Sequence, residues 1–89
     1  MTNLQVINAF ANSKSAKSSN HNLCSYGNKL YNYYTCLAQR LSDGTILVNT
    51  TKYSVTTSKI QNYIKYTLTK YTEVNHVPLG ASDLTKYIK

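Results

Sequence analysis

The sequence has no tryptophan, one phenylalanine (Phe10), one proline (Pro78), three glycines, one arginine (Arg40) and only three carboxylates, Asp43, Glu73 and Asp83. Each shortage removes a class of function. Three scattered carboxylates cannot supply the acidic cluster of a magnesium-dependent nuclease, nor a paired acid and base for hydrolysis. Three isolated glycines leave no phosphate-binding loop and no dinucleotide fingerprint, and His-Glu-x-x-His is absent. A lone arginine argues against base-specific reading of a major groove, which leans on bidentate guanidinium contacts. No apolar run approaches the ~20 residues that cross a bilayer. Met1 to Ala11 is interrupted by Asn3, Gln5 and Asn8 and lacks a basic segment ahead of an apolar one, so no secretion signal is expected. These readings imply a soluble, cytoplasmic protein with no membrane partner.

Cysteine and histidine are equally sparse: Cys24, Cys36, His21 and His76. Only His21-x-x-Cys24 has a tight spacing, whereas structural zinc sites draw paired ligands from both sides. No metal and no cofactor are expected. The reading favours two packed, reduced thiols over a bridge. Cys36 with His76 as nucleophile and base has nothing but composition behind it, and a non-enzymatic protein is the expectation.

What the chain does contain is neutral polarity, aromatic hydroxyl and positive charge. Asn, Ser and Thr make up about a third of the 89 residues, and only 15% are charged, yet ten Lys/Arg against three Asp/Glu leave a net charge of +7. Such a balance favours polyanionic partners. Nine tyrosines must carry most of the aromatic packing, and the same rings stack on nucleobases or anchor interfaces.

One small domain, residues 1–89, of the α+β class follows from the order of patterns. Thr2-x-x-Gln5 is a capping box ahead of Leu4, Val6, Ile7, Phe10 and Ala11, which predicts a helix over about residues 3 to 12. Residues 13–22 hold no large apolar anchor and read as a flexible polar connection. From Leu23 the β-favouring content rises, with Gly27-Asn28 before a longer run from Lys29 to Leu41.

Asp43-Gly44 fits a two-residue hairpin turn, which would set Leu41 opposite Ile46, Gln39 opposite Val48 and Leu37 opposite Thr50, with Tyr34 and Tyr53 paired on the other side. A three-residue loop with a bulge would group Cys36, Ala38, Ile46 and Val48 instead. The sheet is thus antiparallel, with two or three strands. Ile60, Tyr63, Ile64, Thr67, Leu68 and Tyr71 recur at helical spacing and predict an amphipathic helix over about 56–71 packed on it. Thr56, or the Ser58-x-x-Gln61 box, would start that helix. Ser82 would cap a short C-terminal helix with Leu84, Tyr87 and Ile88 on its apolar edge.

Opposite that stripe lie Lys59, Asn62, Lys65, Tyr66 and Lys70, while Lys52 closes the preceding strand and Arg40 approaches the hairpin. Lysine and asparagine hold phosphate oxygens and a tyrosine among them stacks on a base, so this set is the candidate surface for a nucleic acid or a nucleoprotein.

The Tyr-rich run Lys29-Leu30-Tyr31-Asn32-Tyr33-Tyr34-Thr35, followed after a hairpin by Lys52-Tyr53-Ser54-Val55-Thr56-Thr57-Ser58-Lys59, resembles an uncharacterised family of small phage and mobile-element domains. The likeness covers roughly Tyr26 to Tyr66. The matching positions are Tyr34, Thr35, Tyr53, Ser54, Thr56, Thr57, Ser58 and Lys59. That family brings no activity with it. The resemblance implies a phage-type accessory protein acting in the host cytoplasm. It also raises the alternative of an inhibitor that docks on a host defence protein, for example an anti-CRISPR or anti-restriction protein. The order helix, strand, strand, strand, helix also resembles double-stranded RNA-binding domains, but Thr56-Thr57-Ser58-Lys59 lacks the basic cluster those use across a major groove. Residue types alone leave Ser54 to Ser58 open between helix capping and an anion site.

Overall fold

A computed structural model describes residues 2–19 and 22–87. The chain runs α1 (Asn3–Ala11), β1 (Ala16–Lys17), β2 (Leu23–Tyr26), β3 (Lys29–Asn32), β4 (Thr35–Arg40), β5 (Ile46–Asn49), α2 (Val55–Thr67), β6 (Thr72–Val74) and a final 3₁₀ turn, Thr85–Tyr87. The six strands form one sheet in sequential order, antiparallel from β1 to β5, with β6 added parallel to β5 after the α2 crossover. The α+β class holds, and the sheet is larger and mixed where two or three antiparallel strands were expected. The extra strands are short. At two to four residues, β1, β2 and β6 hold too few alternations for periodicity to reveal them.

Ser25 Oγ donates to the Lys14 carbonyl at 2.7 Å, and Ser18 N–H donates to the Leu23 carbonyl at 2.8 Å. These bonds dock β1 on β2 inside the polar stretch 13–22, so that stretch is not wholly irregular; Asn20 and His21 lie outside the described residues. The run from Lys29 to Leu41 likewise divides into β3 and β4, turning at Tyr33-Tyr34 between the pair Asn32 and Thr35.

Two successive hairpins turn on two residues each, Gly27-Asn28 and Tyr33-Tyr34. Both first residues sit at positive φ, Gly27 at 61° and Tyr33 at 57°. Glycine is the usual choice there, because a Cβ crowds the following carbonyl. The third hairpin departs from expectation. Asp43 is not at positive φ, Gly44 is at 90°, and Gly44 N–H closes a turn on the Leu41 carbonyl at 3.0 Å. Asp43 Oδ1 accepts from Thr45 N–H at 2.9 Å, favouring a turn with a glycine bulge over the two-residue form. The register is therefore Arg40 to Ile46, Gln39 to Leu47 and Ala38 to Val48, one residue away from the two-residue pairing.

A second bulge lies in β4. Leu30 pairs with Ala38 but Tyr31 with Cys36, so Leu37 has no partner and joins Ala38 on the same face. That face meets the helices. Val6, Ile7 and Phe10 of α1 and Ile60, Ile64 and Leu68 from α2 and its end close over Leu23, Leu30, Leu37, Ala38 and Val48. On the opposite face Cys36 and Leu47 are covered by Val74, Val77 and Leu84 of the C-terminal segment.

The capping box of α1 is present as read: Thr2 Oγ1 accepts from Gln5 N–H, and Gln5 Oε1 accepts from Thr2 N–H. The start and end of α2 differ. Ser54, not Thr56 or Ser58, is the N-cap, accepting from Thr57 N–H at 3.1 Å, and the helix ends at Thr67 rather than residue 71. Leu68 leaves in extended conformation while still reaching the core. The buried stripe also includes Gln61 in place of Tyr63. Gln61 Nε2 donates to the carbonyls of Asn49 and Thr51, both at 2.8 Å, tying the helix to the end of β5. The expected C-terminal helix is a single 3₁₀ turn, capped by Asp83 rather than Ser82; Ile88 lies outside the described residues.

Candidate functional site

The Tyr33-Tyr34 turn brings two large rings to the surface, 68% and 85% exposed. A tyrosine with positive φ carries roughly 1–2 kcal/mol of conformational cost that glycine would avoid. Around this turn lies an open cleft of about 760 Å³, bounded by Tyr33, Tyr34, Lys52, Tyr53, Leu79 and the first turn of α2. Its size falls in the range of small-ligand sites.

The far wall is fixed by a buried polar network. Asn49 is fully buried; its Nδ2 donates to the Cys36 carbonyl (3.1 Å) and to Tyr53 Oη (2.8 Å), and its Oδ1 accepts from Thr51 N–H (2.9 Å). Tyr53 Oη donates on to the Val77 carbonyl at 2.6 Å, while Val77 N–H donates to Thr51 Oγ1. Gly80 N–H donates to Thr35 Oγ1 and Leu84 N–H to Gln39 Oε1. The segment bearing Leu79 is thereby pinned to the ends of β4 and β5.

At the helix entry the hydroxyls are already engaged. Ser54 Oγ donates to Thr57 Oγ1 at 3.0 Å while accepting from Thr57 N–H, and Thr57 Oγ1 donates to Asn32 Oδ1 at 3.2 Å. Ser54 and Thr57 thus act as cap and cross-link.

Along α2, positions 55, 59, 62 and 66 fall on the side opposite Ile60, Ile64 and Gln61. This puts Val55, Lys59, Asn62 and Tyr66 in one outward row, with Tyr66 91% exposed. Lys65 is half-buried on the flank. Lys52 stands at the cleft. Lys70 lies beyond the helix, beside Asp43, Gly44 and Tyr71 around a second cavity of about 370 Å³. A helix of 13 residues, about 20 Å long, separates the ends where Lys52 and Lys70 lie. Arg40 is placed elsewhere. Its guanidinium donates to the Phe10 carbonyl at 3.0 Å and the Ala11 carbonyl at 3.4 Å, and lies 5.0 Å from the centre of the Phe10 ring. It closes the C-terminal end of α1, where a cation complements free carbonyls. The structure thus groups Lys59, Asn62 and Tyr66 with Lys65 on their flank, puts Lys52 at the cleft by the N-terminal end of α2, and leaves Lys70 and Arg40 apart.

The three carboxylates are on three separate elements. Thr45 N–H holds the Asp43 carboxyl below its ordinary range, and Thr85 N–H does the same for Asp83. Among the described residues no group of three or more His, Cys, Asp or Glu side chains could hold a metal ion. Cys24 is opposite Tyr31, which is opposite Cys36, so two strand spacings of ~4.8 Å separate the thiols, beyond disulfide reach. Both are free, and burial pushes the Cys36 thiol up to about 11.

Leu79 and the turn itself were not read from sequence, and Tyr34, expected in a strand opposite Tyr53, lies in the turn between Asn32 and Thr35. Tyrosine is not a turn former, so the pair reads as continuous strand. Comparison with family models, curated proteins and solved structures gave no match. No helix among the described residues is long and apolar enough to cross a membrane.

Proposed function

We propose that this is a non-enzymatic binding protein that engages single-stranded nucleic acid, alone or in a nucleoprotein, through the outer row of α2 and the tyrosine cleft at its N-terminal end. The observation that carries this reading is the pair Tyr33 and Tyr34, displayed beside Lys52 at the cost of a left-handed backbone, on a chain of net charge +7. Exposed rings stack on unpaired bases, and in this reading Lys52, Lys59 and Lys65 meet phosphates without reading sequence. Three such contacts give a slope of log affinity against log salt of about −2 on a single strand, at roughly −0.7 each.

Fluorescence anisotropy with labelled single- and double-stranded oligonucleotides at rising salt tests it. Preferential single-strand binding with that slope, weakened in Tyr34→Ala and in Lys52→Ala/Lys59→Ala, supports the reading. No binding at low salt refutes it.

A second reading draws on Leu79, which lines the cleft with the tyrosines, and Val55, next in sequence to the cleft residue Ser54, apolar and 77% and 76% exposed. Such a patch suits docking on a protein, as in a phage-type inhibitor of a host defence system. Nuclease-resistant capture of one defined host protein, with no oligonucleotide binding, would favour it over the first.

A further inference from the structure

The sheet has a face that the α2 reading does not use. Leu23, Ser25, Leu30 and Asn32 are buried on the helix side, so the alternate residues of β2 and β3, namely Cys24, Tyr26, Lys29 and Tyr31, point the other way. The register aligns Lys17, Cys24 and Tyr31 in one row across β1 to β3, and Tyr26 beside Lys29 in the next. The C-terminal segment packs on β4 and β5, and the cluster beneath it reaches Tyr31 of β3, which is half-buried against it, but takes no side chain from β1 or β2. Tyr26 is 76% exposed, Lys17 is exposed, and Lys29 is half-buried.

We propose that the part of this face left open by the C-terminal segment, around Lys17 and Tyr26, is a second platform for single-stranded nucleic acid, with Tyr26 stacking on an unpaired base, Lys17 and Lys29 holding phosphates, and the half-buried Tyr31 forming its inner edge. Tyr26 and Tyr31 are diagonal neighbours about 7–8 Å apart on one face, within mutual reach of long side chains, with Lys29 directly across from Tyr26. A duplex keeps its base faces stacked inside and has none to offer the Tyr26 ring; unpaired bases do.

Charge decides against the other occupants. A second copy meeting this patch with its own would set lysines against lysines. An added β-strand would need a long flat edge, whereas β1 is two residues long and carries Lys17. Asp83 lies within electrostatic reach of Lys29 and partly offsets it, which leaves Lys17 as the stronger phosphate contact.

Amide chemical shifts of the whole chain, followed during titration with a short oligothymidylate, read the two surfaces separately. The expected result is saturable shifts at Lys17, Tyr26 and Lys29. Tyr26→Ala weakens that site by about 5- to 100-fold, Tyr26→Phe restores it, and Lys17→Ala lowers its salt slope by about 0.7. Tyr26 is exposed, so its loss leaves the fold intact; Tyr34→Ala serves as the control. Shifts confined to α2 and the Tyr33-Tyr34 turn, unaffected by Tyr26→Ala, overturn this proposal and leave the α2 reading standing. Response to Tyr26 variants alone supports the platform and overturns the α2 reading. A concentration-dependent doubling of mass abolished by Tyr26→Ala, without oligonucleotide shifts on β1 to β3, gives the face to a second copy and overturns the platform.

Discussion

Replacing Tyr53 by phenylalanine removes one oxygen and two hydrogen bonds, yet it should release a whole wall of the cleft. Tyr53 Oη accepts from Asn49 Nδ2 at 2.8 Å and donates to the Val77 carbonyl at 2.6 Å. Asn49 keeps its bond to the Cys36 carbonyl, whereas among the described residues no other bond to the Val77 carbonyl remains to hold the segment at that point. At about 1 kcal/mol net for each bond, and more where a buried group loses its partner, Tyr53→Phe costs about 1–3 kcal/mol. Against total stability of about 4–13 kcal/mol for a chain of this length, that is a substantial fraction. The melting temperature should fall by about 4–8 °C per kcal/mol lost.

The loss has a ceiling, because the segment around Leu79 can open locally and let water satisfy Val77 while the main core persists. Hydrogen exchange therefore discriminates better than melting alone. Protection should fall first at Val77 and Gly80, whose N–H groups donate to Thr51 Oγ1 and Thr35 Oγ1, before it falls at Leu30 or Val48. Oligonucleotide affinity at the cleft should drop in step with Gly80 protection. A melting temperature within about 2 °C of the parent, or protection lost evenly across sheet and segment, would refute the view that this hydroxyl pins the wall.

Tyr33→Asn, placing a residue that tolerates positive φ in the β3–β4 turn, should raise stability by up to about 1 kcal/mol in urea unfolding while weakening cleft binding. Arg40→Ala should cost about 1–2 kcal/mol by uncapping α1 and unstacking Phe10, and leave nucleic-acid affinity at the cleft unchanged when both are measured on one preparation. With the Cys36 thiol raised to about 11, its contribution to stability is complete below the ordinary 9.0 and is lost as pH rises through the folded value. Thiol-reagent kinetics at mild alkaline pH should accordingly show Cys24 reacting first and Cys36 only on opening, and oxidation should give no intramolecular disulfide by mass. The depressed carboxyls of Asp43 and Asp83 work in the opposite direction. Their contribution is present above the ordinary 3.8 and is lost as pH falls through their lower folded values, so the melting temperature of Asp43→Asn should change less with pH across that acid window than the parent's.

Local chemistry and periodicity set a good part of this molecule without help from the rest of the chain. The Thr2-x-x-Gln5 box starts α1, Ile60, Ile64 and Leu68 lay α2 on the sheet, and Asp43-Gly44 turns a hairpin, because each is a decision among neighbours in sequence. The lysines of α2 face outward for the same reason: the opposite side of an apolar stripe is solvent. What the tertiary structure alone decided depends on partners far along the chain. The one-residue register of β4 on β5 and the bulge at Leu37 decide which face Cys36 and Gln39 occupy. Arg40 left the candidate set when its guanidinium met carbonyls thirty residues earlier. The turn at Tyr33-Tyr34, the strand at Ala16 and the burial of Gln61 rest on a few hydrogen bonds between groups distant in sequence, which leave no period in it, and the two tyrosine surfaces exist only once those bonds have folded the ribbon.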